Sequence, residues 1–550
     1  MSNPIVTVQV TQTVAPTPSN LQKTGAMISS GGTNLTPGQT ALLQQPTDLD
    51  NYLPAPTALT TVAWSSAYGG QVTANTAAPH GVTVGNHFTT TITGVSPIGY
   101  NGTFNAMASG PSAFTYYLSP DPGVQTVAGT YSHPASSELQ AMVGTFFAQG
   151  FQQSVYVIEL GPPPVSAQIA VLQDFINNSV QMFYSYLVPR AWDADPNFLG
   201  LVAQYESTTG KTYFLVTTTL DTYDAYTDQM KNVVAMIEAP VYGAWAGNLL
   251  TAATWSPNSV TGTTTTAHGV KPGDWFQITG ANPTTLNGLH QALPGTTGTS
   301  LMWQLVGDPG TVTTPGTLKG SVYSSKGIPA TEFSLAAAWW VTLNYQPSAT
   351  NKVTPYSYSF LYGVTRFPQQ GNGPLMDTLK AASINIVGYG AEGGISDTIL
   401  LYGHTMDGRP FNYWYSVDWM QINIDLDISN AIINGSNNPI NPLYYNQDGI
   451  NRLEAVAAQT GSNAVAYGLA LGAVKQVALD PLIFTDNINR GLYAGQLVVN
   501  AIPFPTYTAA HPSHYKIGEY DGLSMVYTPL RGFEHIVFNI HVTDFVAAAV

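Results

Sequence analysis

The sequence has no cysteine in 550 residues. Disulfide scaffolds and thiolate chemistry, catalytic or metal-binding, are excluded together. Charge is nearly as scarce. Asp, Glu, Lys and Arg make up 9% of the chain, against roughly 25% in ordinary soluble domains. What charge there is leans one way, with 31 acidic and 16 basic side chains for a net of −15. No basic run occurs anywhere, so no nucleic-acid partner is expected, since phosphate binding needs clustered Lys and Arg. No run of about 18 apolar residues exists, so no membrane insertion is expected. The opening MSNPIVTVQV lacks the basic and apolar regions of a secretory signal, and none is expected. The sequon at Asn34 is then without a glycosylation context.

What is present is a folded composition. Hydrophobic residues are 44% of the chain and 31 are tyrosine, unlike a disordered segment. The length allows roughly three or four domains. A folded chain with so little charge for a solvated surface fits one whose surface is largely covered by other protein.

The chain repeats itself. APHGVTVGN (78–86) returns as TAHGVKPGD (266–274), 188 positions on. The match extends in order. Trp64-Ser65 answers to Trp255-Ser256, Val72-Thr73 to Val260-Thr261, and Gly94 and Pro97 to Gly280 and Pro283. Asn101-Gly102 answers to Asn287-Gly288, FTYYL (114–118) to LMWQL (301–305), and Asp121-Pro122-Gly123 to Asp308-Pro309-Gly310. Two copies are too few for a solenoid. The reading is two small separate modules, 60–131 and 252–322. Both are rich in Thr, Val, Gly and Pro, with β-branched runs between turn signals, which predicts small all-β barrels or sandwiches. Asn-Gly is read as a type I′ hairpin turn. His80 and His268, one per module, have no second metal ligand at useful spacing. A turn-forming His-Gly before a strand accounts for both.

The rest alternates. Residues 1–59 read as an N-terminal arm and linker. SSELQAMVGTFFAQGF predicts a helix capped by Ser136 or Ser137, SVYVIEL a strand, AQIAVLQDFIN a helix, SVQMFYSYLVP and TYFLVTTTL strands, and DTYDAYTDQMKNVVAMIE a helix. After the second module, ATEFSLAAAWWVTLNY predicts a helix, and AASINIVGYG and TILLYGHTM strands. This is an α/β host domain, 132–251 and 323–400, with both modules inserted at surface loops. The last part, 401–550, differs. PFNYWYSVDWMQINIDLDISNAIIN carries both a two-residue alternation and a helical stripe (Val417, Met420, Ile424, Ile428, Ile432), and its length favours helix. NQDGINRLEAVAAQTG predicts an amphipathic helix closed by Gly461 as a C-cap. Two strands alternate near the chain ends. In PIVTVQVTQ these are Ile5, Val6, Val8 and Val10. In HIVFNIHVTDF Ile536, Phe538, Ile540 and Val542 share one face.

Chemistry is sparse. YESTTGKTY lacks the first glycine of a phosphate loop, that place being Tyr205. Asp425 and Asp427, two apart on a helix, point away from each other. His511 and His514 have helical spacing, but Pro512 lies between them and no further ligands complete a zinc site. No Gly-x-Ser-x-Gly elbow occurs. No catalytic residue, cofactor or metal is assigned, and the protein is expected not to be an enzyme. Spatial triads are invisible to sequence, which keeps a hydrolase as a third reading.

Over about 375–550 the chain resembles the contractile tail sheath proteins of bacteriophages, in their divergent sheath-like branch. The residues carrying this are FNYWYSVDWMQINIDLDISNAIIN, NPLYYNQDGINRLEAVAAQTG, SNAVAYGLA and FEHIVFNIHVTDF, in that order. The duplicated modules and low charge depart from the commonest pattern. The resemblance implies an α+β multidomain fold: an α/β sheath-like core with two inserted β modules and extended terminal arms. It implies a virion tail subunit, assembled in the bacterial host cytoplasm. Its partners would be further copies in stacked rings, the tail tube, the baseplate and the tail terminator, and contraction would drive the tube through the envelope for genome ejection. It also implies that the arms at Ile5–Val10 and Ile536–Val542 add strands to neighbouring subunits. The alternative is a virion surface adhesin whose β modules bind host glycan.

Overall fold

The computed structural model describes residues 20–532, except 66–70, 83–86, 119–120, 151–153, 208–210, 221, 238–247, 269, 271–274, 321–331, 368–369, 372 and 393–394. The molecule is mixed α and β in several parts, one of them a closed β-barrel.

Its centre is an eight-stranded sheet in the order Thr40–Leu43, Val155–Glu159, Gly25–Ser29, Ser185–Leu187, Tyr213–Thr218, Val233–Ile237, Asn385–Glu392, Ile395–Leu401. The inner six strands are mutually parallel and the two outer ones antiparallel to their neighbours. Parallel strands need both faces covered. One face carries the helices Pro134–Phe147, Ser334–Leu343 and Phe411–Ser436, and the other carries Val165–Asn178, Pro196–Ser207 and Gly373–Ala381. Hence Gly25–Ser29, Tyr213–Thr218 and Val233–Ile237 are buried at every position.

This corrects several expectations. Residues 1–59 are not all arm and linker: from residue 25 the chain enters the sheet as an inner strand. The segment read as one helix to Glu238 ends instead as the strand Val233–Ile237, after a short 3-10 turn at Tyr223–Ala225. An unbroken apolar run suits a strand buried on both faces, and its helical period there is incidental. The helix Pro134–Phe147 starts from His133 with Pro134 in its first turn, not from a serine cap. Ser136 Oγ instead donates to the Gly32 carbonyl at 2.8 Å, and Ser137 Oγ bonds Ser132 Oγ at 2.6 Å.

The first module closes into a barrel of Thr57–Ser65, Gln71–Thr76, Ala113–Tyr117, Gly102–Gly110, His87–Thr93 and Thr130–Tyr131. The second, from Asn248–Ser256 to Thr317–Gly320, repeats the strand order, with one pairing reduced to a bridge between Ala292 and Trp303. The repeated residues do the same work in each. Trp64 Nε1 donates to the Leu118 carbonyl at 3.0 Å and Trp255 Nε1 to that of Leu305 at 3.4 Å. The Asn-Gly pairs are not type I′ turns. Asn101 holds both backbone groups of Val95 (2.9 Å each), and Asn287 holds those of Ala281 (2.7 and 3.0 Å). His80 is buried in its turn. Its Nε2 lies 2.8 Å from the Gly110 carbonyl, and its Nδ1 accepts from Val82 N–H at 3.1 Å. His268 Nδ1 likewise accepts from Val270 N–H at 3.1 Å.

Each module sits between a sheet strand and a helix of the same sheet face, and the two touch through Thr115 and Gln304, 2.8–3.0 Å apart and buried. The first also packs on the host, where Thr90 Oγ1 donates to the Ser132 carbonyl at 2.8 Å.

Two outcomes follow. A Cβ at Gly25 would overlap the buried ring of Trp339, whose Nε1 donates to Ser185 Oγ at 2.7 Å. Gly25→Ala therefore costs about 1–3 kcal/mol by overpacking, read as a lower urea midpoint at unchanged slope. Leu249 and Thr317 face each other in the second module's antiparallel ladder. Replacing 249–317 by a short Gly-Ser bridge should leave the host folded. Insoluble product alone would place this module in the host's core.

Candidate assembly interface

No cluster of three or more His, Asp or Glu suited to a metal occurs among the described residues. His511 and His514 stack at 5.0 Å between ring centroids, and His514 Nδ1 is engaged by Tyr507 OH at 2.7 Å. They lie at the junction of two short helices, Phe504–Ala510 and Pro512–Ile517, because Pro512 starts the second. Asp427 accepts from Thr460 Oγ1 at 2.6 Å, tying two helices together.

The feature that stands out is the C-terminal layer. The segment Phe411–Ser436 is a helix, as its length predicts, and it lies on the main sheet. Gln22 Nε2 donates to the Tyr415 carbonyl at 2.9 Å, and Ser416 Oγ donates to that of Leu469 at 2.7 Å. A joint at 437–446 turns the chain, with Asn438 Oδ1 accepting from Ile440 and Asn441 N–H at 3.0 and 3.2 Å. The helix Gln447–Ala466 follows, capped by Asn446, whose side chain accepts from Gly449 N–H at 2.9 Å. Gly461 is not its C-cap. The helix runs on to Ala466, and a Cβ at Gly461 would sit 2.6 Å from Leu497 Cδ2. This glycine lets the helix lie close on a small sheet.

That sheet has three strands, Val474–Val477, Leu497–Ala501 and Leu523–Val526. The middle strand is wholly buried. Leu497 and Val499 face the helix Gln447–Ala466, while Val498 packs with Phe484 and Tyr493 under the helix Pro481–Asn489. Among the described residues no strand pairs with the outer side of either flanking strand. Unpaired strand edges are templates for further strands.

The same layer concentrates exposed apolar side chains. Of twenty large hydrophobic residues exposed among those described, eleven lie between Ile433 and Leu530. Ile440 is 93% exposed, Leu482 82% and Ile517 72%. Scattered exposed leucines need no explanation, but a concentration on one layer marks an interaction surface. Sequence reading missed these residues. Leu-Ile-Phe at 482–484 was the available signal: in a helix of nine residues only Phe484 turns inward.

The predicted arm residues Ile5, Val6, Val8, Val10, Ile536, Phe538, Ile540 and Val542 lie outside the described residues.

One titratable group joins this layer to the main sheet. Asp418, on the long helix, is buried and accepts from Tyr184 OH at 2.8 Å and Tyr213 OH at 2.9 Å. Burial pushes its carboxyl up to about 6, against the pull of the two phenols and of the Lys211 and Lys231 charges.

No protein-family model matches the chain, and no curated protein does. Among solved structures, the sheath tail protein Lin1278 from Listeria innocua aligns over 92% of this chain and 94% of its own, at 9% identity and a TM-score of 0.34. That score is too low to identify a shared fold.

Asp418 yields a pH test. A carboxyl whose folded pKa is raised favours folding most when protonated, and that contribution is lost as pH rises from the ordinary carboxylate range through about 6. Asp418→Asn keeps an acceptor for the phenols without the charge. Its stability relative to the parent should be near parity at about pH 4 and higher by on the order of 2–3 kcal/mol at about pH 8. Urea titrations at both pH values measure this. A variant weaker than the parent at the higher pH would show the carboxylate to be net stabilising.

Proposed function

We propose that this chain is the structural subunit of a phage contractile tail sheath, polymerising around the tail tube and shortening by rigid-body rearrangement of subunits. The observation that carries this reading is the C-terminal sheet, whose flanking strands pair with no further strand among the described residues and which is set among exposed apolar side chains. Open edges there suit strands contributed by other copies, and the two alternating terminal segments have the sequence of such strands. The order of segments over 375–550 resembles the sheath family, and the inserted modules and scarce charge suit a subunit largely covered by its neighbours. No catalytic role is assigned.

The mechanism is economical in physical terms. Each apolar arm side chain buried in a neighbour contributes roughly 1.5–3 kcal/mol, and each added backbone bond about 1 kcal/mol net. Contacts of this head-to-tail kind generate open helical polymers. Links carried by arms persist while the bodies they join rotate and repack.

Negative-stain microscopy of the purified protein is the direct test, with long tubes expected. Removing 535–550, or 1–14, should abolish the tubes and leave a monomer with nearly the parent's melting temperature. A large loss of monomer stability would place the strand in its own subunit and end the exchange scheme. Small oligomers of fixed size that bind glycan would favour the adhesin.

A further inference from the structure

The six arginines of the chain fall into two groups. Arg190 Nη2 donates to the Glu332 carbonyl at 2.9 Å, Arg366 Nε to Thr398 Oγ1 at 2.9 Å, Arg452 Nη1 to the Pro442 carbonyl at 3.1 Å and Arg490 Nη1 to Asp486 Oδ2 at 3.4 Å. Each of these four guanidiniums finds an oxygen within its own copy. Among the described residues, the guanidiniums of Arg409 and Arg531 donate to none. They are held on one ring instead. Arg409 lies 4.9 Å and Arg531 5.0 Å from the centroid of Tyr413, and Arg409 is also 5.2 Å from that of Trp414.

The acid beside them is already engaged. Asp407 Oδ1 accepts from Thr405 Oγ1 at 2.6 Å and from Arg409 N–H at 3.2 Å, and its Oδ2 accepts from Trp414 Nε1 at 3.0 Å. The Arg409 guanidinium stands 3.7 Å from that carboxylate, within ion-pair range but beyond a hydrogen bond. Lys231, 5.8 Å from the centroid of Trp414, is paired with Glu206 at 3.3 Å. Around the two rings this leaves one positive charge in excess. Both arginines are open to solvent, the Arg409 side chain at 43% and Arg531 as an exposed residue.

Packing alone does not explain the pair. One guanidinium covers a face of Tyr413. The second brings a like charge to within about 10 Å of the first, roughly a Debye length. A carboxylate reached by both turns that repulsion into two attractions. Stacking holds each guanidinium in place and leaves its planar N–H fork free at the edge. Such forks match a carboxylate through paired hydrogen bonds. A single excess charge suits one carboxylate better than a doubly charged phosphate, which Asp407 repels more strongly. Supply points to the chain itself. Each copy has 31 acidic side chains against 16 basic ones, so its acids cannot all be met inside the copy. We infer that Arg409 and Arg531 form an ion-pair socket for an aspartate or glutamate of a second copy of this chain. The inference rests on the self-assembly reading only in supposing that copies meet; it needs no terminal arm.

The test uses the full chain. Arg409→Gln/Arg531→Gln empties the socket of charge. Lys352→Gln/Lys380→Gln removes the same charge from two other exposed positions. Sedimentation velocity over a concentration series, at about 0.05 and 0.5 M salt, reads association, with melting temperature as a fold control. The socket variant should associate at about tenfold higher concentration than the parent at the lower salt, lose most of the parent's salt dependence, and melt as the parent does. The lysine variant should behave as the parent. Arg531→Gln alone, at an exposed position, should shift association in the same direction, which covers misfolding of the double variant. Equal weakening of the socket and lysine variants, or unchanged association of the socket variant, overturns the socket; tubes that persist then leave the sheath reading intact. Lower melting with unchanged association shows that the two guanidiniums serve their own copy, and also overturns it. Small oligomers that need both arginines but never extend into tubes support the socket and sink the sheath reading. A parent that stays monomeric overturns the second-copy assignment.

Discussion

The C-terminal layer depends on how the helix Phe411–Ser436 lies against the main sheet. Its buried side chains belong to one apolar core that runs from Met27 and Val234 in the main sheet to Leu497 and Val499 in the small C-terminal sheet. The helix is the shared wall. Hydrogen bonds along it tie four other segments: Gln22 reaches the Tyr415 carbonyl, Tyr184 and Tyr213 each reach the Asp418 side chain, and Thr460 reaches that of Asp427. A charge-poor core could have made this contact with apolar groups alone. It instead buries a carboxylate under two phenols, which fixes register at an electrostatic cost. Because no separate apolar seam divides the layers, a displacement of the C-terminal layer carries the main sheet with it.

Scarcity of charge leaves a second mark. Buried backbone groups need partners, and here amide side chains repeatedly supply both at once. Asn500 bonds the N–H and carbonyl of Leu479, and Gln149 those of Tyr362. Asn101 and Asn287 do the same in the β modules. An amide offers a donor and an acceptor with nearly the geometry of a peptide, so each acts as a one-residue strand partner. An ionised group in these places would add a desolvation penalty. Glu159 shows the exception. Its carboxylate collects Ser29, Thr33 and the N–H groups of Gly31 and Gly161 at 2.7–3.1 Å.

What was legible in the sequence follows from the same physics. The duplication was plain because the residues kept are those that clamp each module: Trp on a carbonyl, Asn on a backbone pair, His in a turn. Their presence was readable, but their use was not. Asn-Gly suggested a local hairpin, while Asn101 bonds a residue six positions back. The long helix was decided by length, since its period was ambiguous. Val233–Ile237 was misread because a strand buried on both faces has no polar alternation to declare it. Gly461 resembled a stop signal because nothing local reveals that Leu497 lies across it. Of the candidate interface, the terminal alternation was visible, but the sheet edges left unpaired among the described residues were not. An edge is defined by which strands fail to come together, and that is a property of the whole fold.

The packing of the β modules and the two sheets bears on what kind of motion the chain can support. The β modules touch through Thr115 and Gln304, the first also packs on the helix Pro134–Phe147, and that helix shares a core with both sheets through Phe146 and Trp339, 5.5 Å apart. The β modules, which have cores of their own, thus connect to the C-terminal sheet through that helix. Well-packed interiors deform little and switch between discrete arrangements at their boundaries instead. A large rearrangement within the chain is therefore costly, because each displaced clamp leaves a buried amide or backbone group without its partner.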